Sequence, residues 1–190
     1  MATENLQRAF ADTRAVIANI KTDQLDDPTP CASWKVRDIL NHVIGGSFYF
    51  AECASTGKGP GGAPDVDFTT GDFVATYDEG IAKALAAFGA PGVLDGMVEL
   101  PFGTLPMMAW LGIATTDTFT HGWDLASATG QSTDIDPDLA VQLLEGAKQF
   151  IQPAFRGEDT KTPFGPEQIA PPNASEADKL AAFLGRRVGS

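Results

Sequence analysis

The stretch WKVRDILNHVIGGSFYFAECAS, residues 34–55, decides the fold. Val36, Ile39, Leu40, Val43, Ile44 and Phe50 recur at helical spacing and form a wide apolar face, which predicts a long helix buried among other helices. Before it, QLDDPTPCAS (residues 24–33) holds two prolines and several turn formers, so it reads as a loop ending at Ser33, the expected N-cap. Further upstream, Leu6, Phe10, Ile17 and Ile20 mark an amphipathic helix from Asn5 to Ile20.

Downstream, TGKGPGGAPDVDF (residues 56–68) is a Gly- and Pro-rich loop. Phe73, Tyr77, Ile81, Ala84 and Phe88 predict a third helix, started by Thr69 or Thr70 and closed before Gly89. Residues 90–106 mix short β-friendly pieces with turns, and a hairpin or an ordered loop fits equally. Residues 105–128 return to helical spacing, with Gly130 as C-terminal cap. Asp136 followed by Pro137 opens a fifth helix through Leu139, Leu143, Leu144, Ala147, Phe150 and Ile151, which Pro153 ends. From Ala154 to Asn173 four prolines break any periodicity, so this segment should wrap over the surface. A short helix follows Ser175, with Gly185 after it. No repeat and no second core stands out. The pattern predicts an all-α four-helix bundle with a short hairpin or loop excursion and an additional C-terminal short helix. It reads as one domain over residues 1–190, with 154–190 as a strap and that last helix.

Composition narrows the partners. In 190 residues, 43% hydrophobic and 20% charged content with 12 Phe and 3 Trp argues for a packed core and against disorder. Thirteen Lys and Arg against 25 Asp and Glu give a net charge of −12, a field that repels nucleic acid and anionic membranes. No stretch approaches the ~18–20 apolar residues of a membrane span, and the N-terminus lacks a signal-peptide layout, so a cytoplasmic protein is expected. Cys31 and Cys53 are then expected as thiols rather than a disulfide, and no Cys-x-x-Cys pattern occurs.

The chain has two histidines, His42 and His121, both inside predicted long helices. Ile39, His42, Gly46, Tyr49 and Cys53 form one stripe of the second helix, so His42 should point inward. Trp110, Ala114, Asp117, His121, Asp124 and Ala128 form a similar stripe of the fourth, which puts Asp117 and His121 one turn apart on the same side. Two neutral imidazoles and a carboxylate suffice to hold Zn²⁺, or Ni²⁺ or Fe²⁺, with a coordination position open for water or substrate. The structural alternative is that the histidines pack or cap and that Asp117 faces water or pairs with an Arg. Asp124 either orients His121 from behind or faces solvent. Gly45 and Gly46 imply close helix packing, the favoured reading, or room for a ligand beside His42, and Gly122 poses the same question. Trp123 reads as core or rim. Cys53 lies roughly 16 Å along the helix from His42, too far to join its site. Cys31 has no evident activating base and reads as inert.

Gly57, Gly59 and Gly62 satisfy Gly-x-Gly-x-x-Gly, but the match follows a helix and contains Pro60, so it reads as a loop and not as a nucleotide site. No Walker A, His-Glu-x-x-His or Gly-x-Ser-x-Gly sequence is present.

TPCASWKVRDILNHVIGG (residues 29–46), DTFTHGWDLASATG (117–130) and FGPEQIAPPNASEADKLAAFLGRR (164–187) resemble the DinB-like proteins of actinobacteria related to mycothiol-dependent maleylpyruvate isomerase. The resemblance covers almost the whole chain. It implies a four-helix bundle with a divalent metal on three side chains: His42, Asp117 and His121. The isomerase carries Glu where Asp117 stands, one methylene longer. The likeness is to the isomerase's N-terminal domain, and no counterpart of its separate C-terminal domain is expected. It further implies that a low-molecular-weight thiol such as mycothiol takes the open metal position as thiolate and attacks a small electrophile.

The first functional reading is therefore a metal-dependent enzyme of the thiol transferase or isomerase kind, acting on a small molecule by transfer, addition or isomerisation, with a homodimer left open. The alternatives are a noncatalytic bundle that binds a small molecule or partner, and a hydrolase using metal-bound water.

Overall fold

The computed structural model describes residues 3–61, 66–158 and 161–189. Six helices form: α1 (Glu4–Ile17), α2 (Val36–Thr56), α3 (Phe73–Phe88), α4 (Met107–Ala128), α5 (Pro137–Phe150) and α6 (Glu176–Phe183). Between α3 and α4 an antiparallel hairpin pairs β1 (Met97–Leu100) with β2 (Gly103–Pro106), which decides the excursion in favour of a hairpin. The fold is all-α with this small sheet as its exception.

Helices α1 to α4 make the bundle, with α2 against α3, α1 against α4, and cross-packing of α2 on α4 and α1 on α3. Their stripes meet in a core that includes Leu6, Phe10, Ile17, Ile39, Leu40, Ile44, Tyr77, Phe88, Leu111 and Leu125. A second apolar cluster, not foreseen from the sequence, lies on the other side of α4, where Phe119 and Trp123 meet Leu139, Leu143, Leu180 and Leu184. Helix α4 is buried on nearly every side. Periodicity alone does not say how many neighbours such a helix has.

Two helix starts differ from expectation. Ser33 does not cap α2. Its N-cap is Lys35, whose backbone N–H donates to the Asp38 carboxylate at 2.8 Å. The preceding loop supplies the remaining acceptors, with Val36 N–H donating to Asp27 O and Arg37 N–H to Leu25 O. Those bonds hold the loop, and Trp34 with it, across the mouth of the helix. Helix α3 is started by Asp72, whose side chain accepts from Ala75 N–H, and not by Thr69 or Thr70, which sit in a single 3₁₀ turn capped by Asp67. The other caps match the sequence reading. Asp136 accepts from Leu139 N–H ahead of Pro137, Ser175 accepts from Asp178 N–H, and Gly130 takes a left-handed φ of 70° just after α4.

Gly122 answers its question in favour of packing. A Cβ there would run into the Thr13 side chain and lie 3.3 Å from Thr13 Cα, so only Gly lets α1 approach α4 this closely. Gly57 caps α2 with φ 70°, and Gly59 N–H donates to Glu99 O at 2.7 Å, tying the loop to β1. Gly62, the third glycine of that pattern, lies outside the described residues. The segment after α5 is tied to α6, because Arg156 Nη1 donates to Phe183 O at 2.7 Å and Gln168 N–H to Ala182 O at 2.9 Å. Among the described residues, no helix is long and apolar enough to cross a membrane.

Candidate metal centre

His42 projects from α2, and Asp117 and His121 from α4, across the seam where these helices pack. His42 Nε2 lies 3.3 Å from each Asp117 carboxylate oxygen, and His121 Nε2 lies 3.6 Å from Asp117 Oδ1. The three residues sequence reading singled out are thus brought together, with one donor atom from each within 4.8 Å of the others. At ligand distances of ~2.0–2.1 Å, a tetrahedral ion sets its donors about 3.3 Å apart, so the spacing suits such an ion. Among the described residues Asp117 makes no ion pair with Arg, and its partners are the two imidazoles.

Behind this cluster lies a second layer. His121 Nδ1 is 2.9 Å from Asp124 Oδ2, and Asp124 has no exposed surface. Arg186, beyond α6, grips Asp124 through Nε at 3.1 Å and Nη2 at 2.9 Å. Burial works against the Asp124 charge, but the guanidinium and the His121 hydrogen bond hold its carboxyl far below the usual range. An ionised Asp124 only accepts, so Nδ1 of His121 carries a proton, and Nε2 is the nitrogen turned toward Asp117.

The same balance governs Asp117. Burial raises its pKa, yet the charge and hydrogen bond of His42, with His121 and Arg186 beyond, bring it down to about 2. For His42, burial lowers the pKa and the Asp117 charge and hydrogen bond outweigh it, leaving a net rise. The site therefore concentrates negative charge on a carboxylate between two nitrogens, an arrangement that attracts a cation.

Two residues that sequence reading left aside belong here. Cys31 Sγ, read from the sequence as a thiol without an activating base, lies 3.4 Å from Asp124 Oδ2 and 3.4 Å from Arg186 Nη2. Cys31, His121 and Asp124 could in principle offer a second donor set, but the Arg186 guanidinium already supplies the positive charge on that side. Trp34 packs its ring 4.9 Å from His42 and 5.5 Å from His121, covering both imidazoles. Neither Arg186 nor Trp34 carries a local signal, since one follows the last helix and the other sits in a turn. Cys53 is buried away from the site, joined to Cys31 by no disulfide, and burial pushes its thiol up to about 11. Trp123 is core, with its indole N–H donating to Asp178 at 2.9 Å.

On the open side of His42 and Asp117 runs a cleft of about 530 Å³. Gly45 and Gly46 line it, and the nearest side-chain atoms to a Cβ there would be 3.4 and 3.7 Å away, so these glycines leave room beside His42 instead of serving tight packing.

Residues 6–126 match the family described as the mycothiol maleylpyruvate isomerase N-terminal domain. The chain belongs to this family. Over 188 residues this member is 43% identical to the uncharacterized proteins MT0763 and Rv0738 of Mycobacterium tuberculosis, from strains CDC 1551 and H37Rv, covering 99% of this chain and 97% of each relative. The crystal structure of the mycothiol-dependent maleylpyruvate isomerase superposes with a TM-score of 0.58 at 13% identity, over 75% of this family member and 66% of the isomerase. That likeness establishes the shared fold, and the family member spans about two thirds of the isomerase's length.

Proposed function

We propose that this protein is a divalent-metal enzyme that uses a low-molecular-weight thiol of the mycothiol kind in transfer, addition or isomerisation on a small electrophile. The observation that supports it is the meeting of His42, Asp117 and His121 donor atoms beside a cleft that His42 and Asp117 line. In this reading His42 and His121 hold the ion through Nε2 and Asp117 through its carboxylate, a nitrogen and oxygen set suited to Zn²⁺, with Ni²⁺ or Fe²⁺ as alternatives. When bound, the ion supplies Lewis acidity that favours the thiolate form of a thiol.

The chain's own residues do the rest. Asp124 takes the Nδ1–H of His121 and thereby fixes its tautomer and ring orientation. Arg186 balances the Asp124 charge, so that Asp124 does not draw a proton or a second cation. Trp34 shields the back of both imidazoles from water. We read residues 1–190 as one unit, because Arg186 from the C-terminal strap completes the layer behind the α4 ligands.

The test is elemental analysis of untagged protein purified without chelator, beside a folded His42→Ala/His121→Ala variant. About one equivalent of zinc or a similar metal in the parent and none in the variant is expected, followed by turnover that requires added thiol. Metal absent from both after reconstitution points to a noncatalytic binding bundle. Turnover without thiol points to a hydrolase.

A further inference from the structure

Gly45 and Gly46 stand in the middle of α2, three and four residues on from His42, so both share its face of the helix. Two glycines there weaken a 21-residue helix relative to alanine. Packing does not call for them. A Cβ at Gly45 would meet Phe68 at 3.4 Å and one at Gly46 would meet Phe50 at 3.7 Å, ordinary contacts both. Gly80 and Gly122 differ, because a Cβ there would overlap the side chains of Ser47 and Thr13. The bare backbone at Gly45 and Gly46 instead borders the cleft of about 530 Å³, a volume within the roughly 300–1,000 Å³ of small-molecule sites.

Around that strip the lining is largely aromatic, with Tyr49, Phe50, Phe68, Phe102 and Trp110. The Tyr49 and Phe50 rings stand edge-on to Trp110 at 6.1 and 5.3 Å, which braces the wall. Polar groups of the lining are engaged elsewhere or confined to one end. The Asn41 amide donates to Asp67 and accepts from Phe68 N–H, the Trp110 N–H is buried, and the Tyr49 hydroxyl lies against Gly59, where a Cβ would collide with it. His42 and Asp117 remain, and both belong to the metal cluster. A small molecule here meets polar groups at its reacting end, and rings and bare backbone along its body. A flat ring suits that space, since it can lie against a helix surface without side chains and offer its face and edges to the surrounding rings.

We propose that this cleft is an aryl subsite, taking a planar aromatic group of the molecule whose reacting group faces His42 and Asp117, with Gly45 and Gly46 as the floor that admits it. Calling that molecule the electrophile rests on the metal-and-thiol reading above; the aromatic class of its body rests on the lining and the floor. The charge of the reacting group is decided at the His42 end and does not enter.

Equilibrium dialysis of the full chain, stripped of metal with chelator, tests the class without requiring turnover. The probes are 2-naphthol and 1-adamantanol, two alcohols of equal carbon number, one flat and aromatic and the other globular and saturated. The parent should bind 2-naphthol about five- to ten-fold more tightly, the advantage that aromatic contact gives. Gly45→Ala/Gly46→Ala should weaken 2-naphthol by about ten-fold or more, as added methyl groups do in a fitted pocket. The same variant should unfold at a higher temperature, by about 2–4 °C per replacement, because alanine favours the helix. Gly146→Ala, in α5 with open space at its Cβ position, should raise the midpoint and leave binding unchanged. No binding of 2-naphthol, 1-adamantanol binding as tightly, or undiminished 2-naphthol binding by the double variant overturns the proposal. An unchanged or lower midpoint in that variant also overturns it, by assigning the glycines to packing. If binding follows expectation but the zinc-loaded protein shows no thiol-dependent turnover, the functional reading fails while the aryl subsite stands.

Discussion

Nδ1 of His121 lies 2.9 Å from Oδ2 of Asp124, and that one contact determines which nitrogen His121 turns toward Asp117. Asp124 is held in turn by Arg186, so the orientation of a residue in α4 depends on a side chain beyond α6.

Asp124→Asn keeps the shape but removes the charge that fixes the His121 tautomer. Zinc affinity, measured by competition with a chelating indicator, should fall by about 10–100-fold while the protein stays folded. An unchanged affinity would falsify the orienting role.

Arg186→Met leaves Asp124 as a buried carboxylate without its main counter-charge. Denaturant unfolding should show a loss of about 3–5 kcal/mol, and adding Asp124→Leu should recover part of it, because the uncompensated buried charge is gone although His121 Nδ1–H loses its acceptor. If the double variant is as unstable as the single, the pair is not the origin of the loss.

Gly122→Ala puts a methyl group against Thr13, and Thr13 Oγ1 also donates to Thr118 O at 2.9 Å. The helices must separate or Thr13 must turn, at a cost of about 1–3 kcal/mol in thermal or denaturant unfolding. Combining it with Thr13→Ala should return part of that stability. A neutral effect of Gly122→Ala alone would mean that α1 and α4 tolerate separation.

Asp12 supplies the pH dependence. It is half-buried, one oxygen has no hydrogen-bond partner among the described residues, and burial together with the Asp136 charge raises its pKa from 3.8 to about 6, Arg8 opposing only in part. The folded state therefore binds this proton more tightly than the unfolded chain, so the contribution of Asp12 to stability falls as pH rises from about 4 to 6. Asp12→Asn should stabilise the protein by about 1 kcal/mol at pH 7, a figure reduced for solvent screening, and the gain should vanish near pH 4. Urea unfolding at the two pH values measures it; an equal gain at both would assign the effect to packing.

The helices were legible because each repeats a local rule. Apolar spacing marks α1, α2, α3 and α5, and the Asp136-Pro137 and Ser175 signals place two starts where the structure has them. Starts built from distant acceptors were not legible. The first turn of α2 is satisfied by carbonyls of Leu25 and Asp27, which no capping pattern at Ser33 reveals.

The candidate site divides in the same way. Asp117 and His121 share a face because they are four residues apart on a helix, and the inward stripe of α2 carries His42, so the sequence by itself determined these candidates and the bundle that joins them. Only the tertiary structure decided that Asp124 faces inward, that Cys31 and Arg186 stand beside it, and that Gly45 and Gly46 open a cleft instead of closing a helix contact. The physical reason is range. Helical periodicity acts over one or two turns, whereas the Arg186–Asp124 pair spans 62 positions and exists only because packing removes both groups from water and leaves each as the other's best partner.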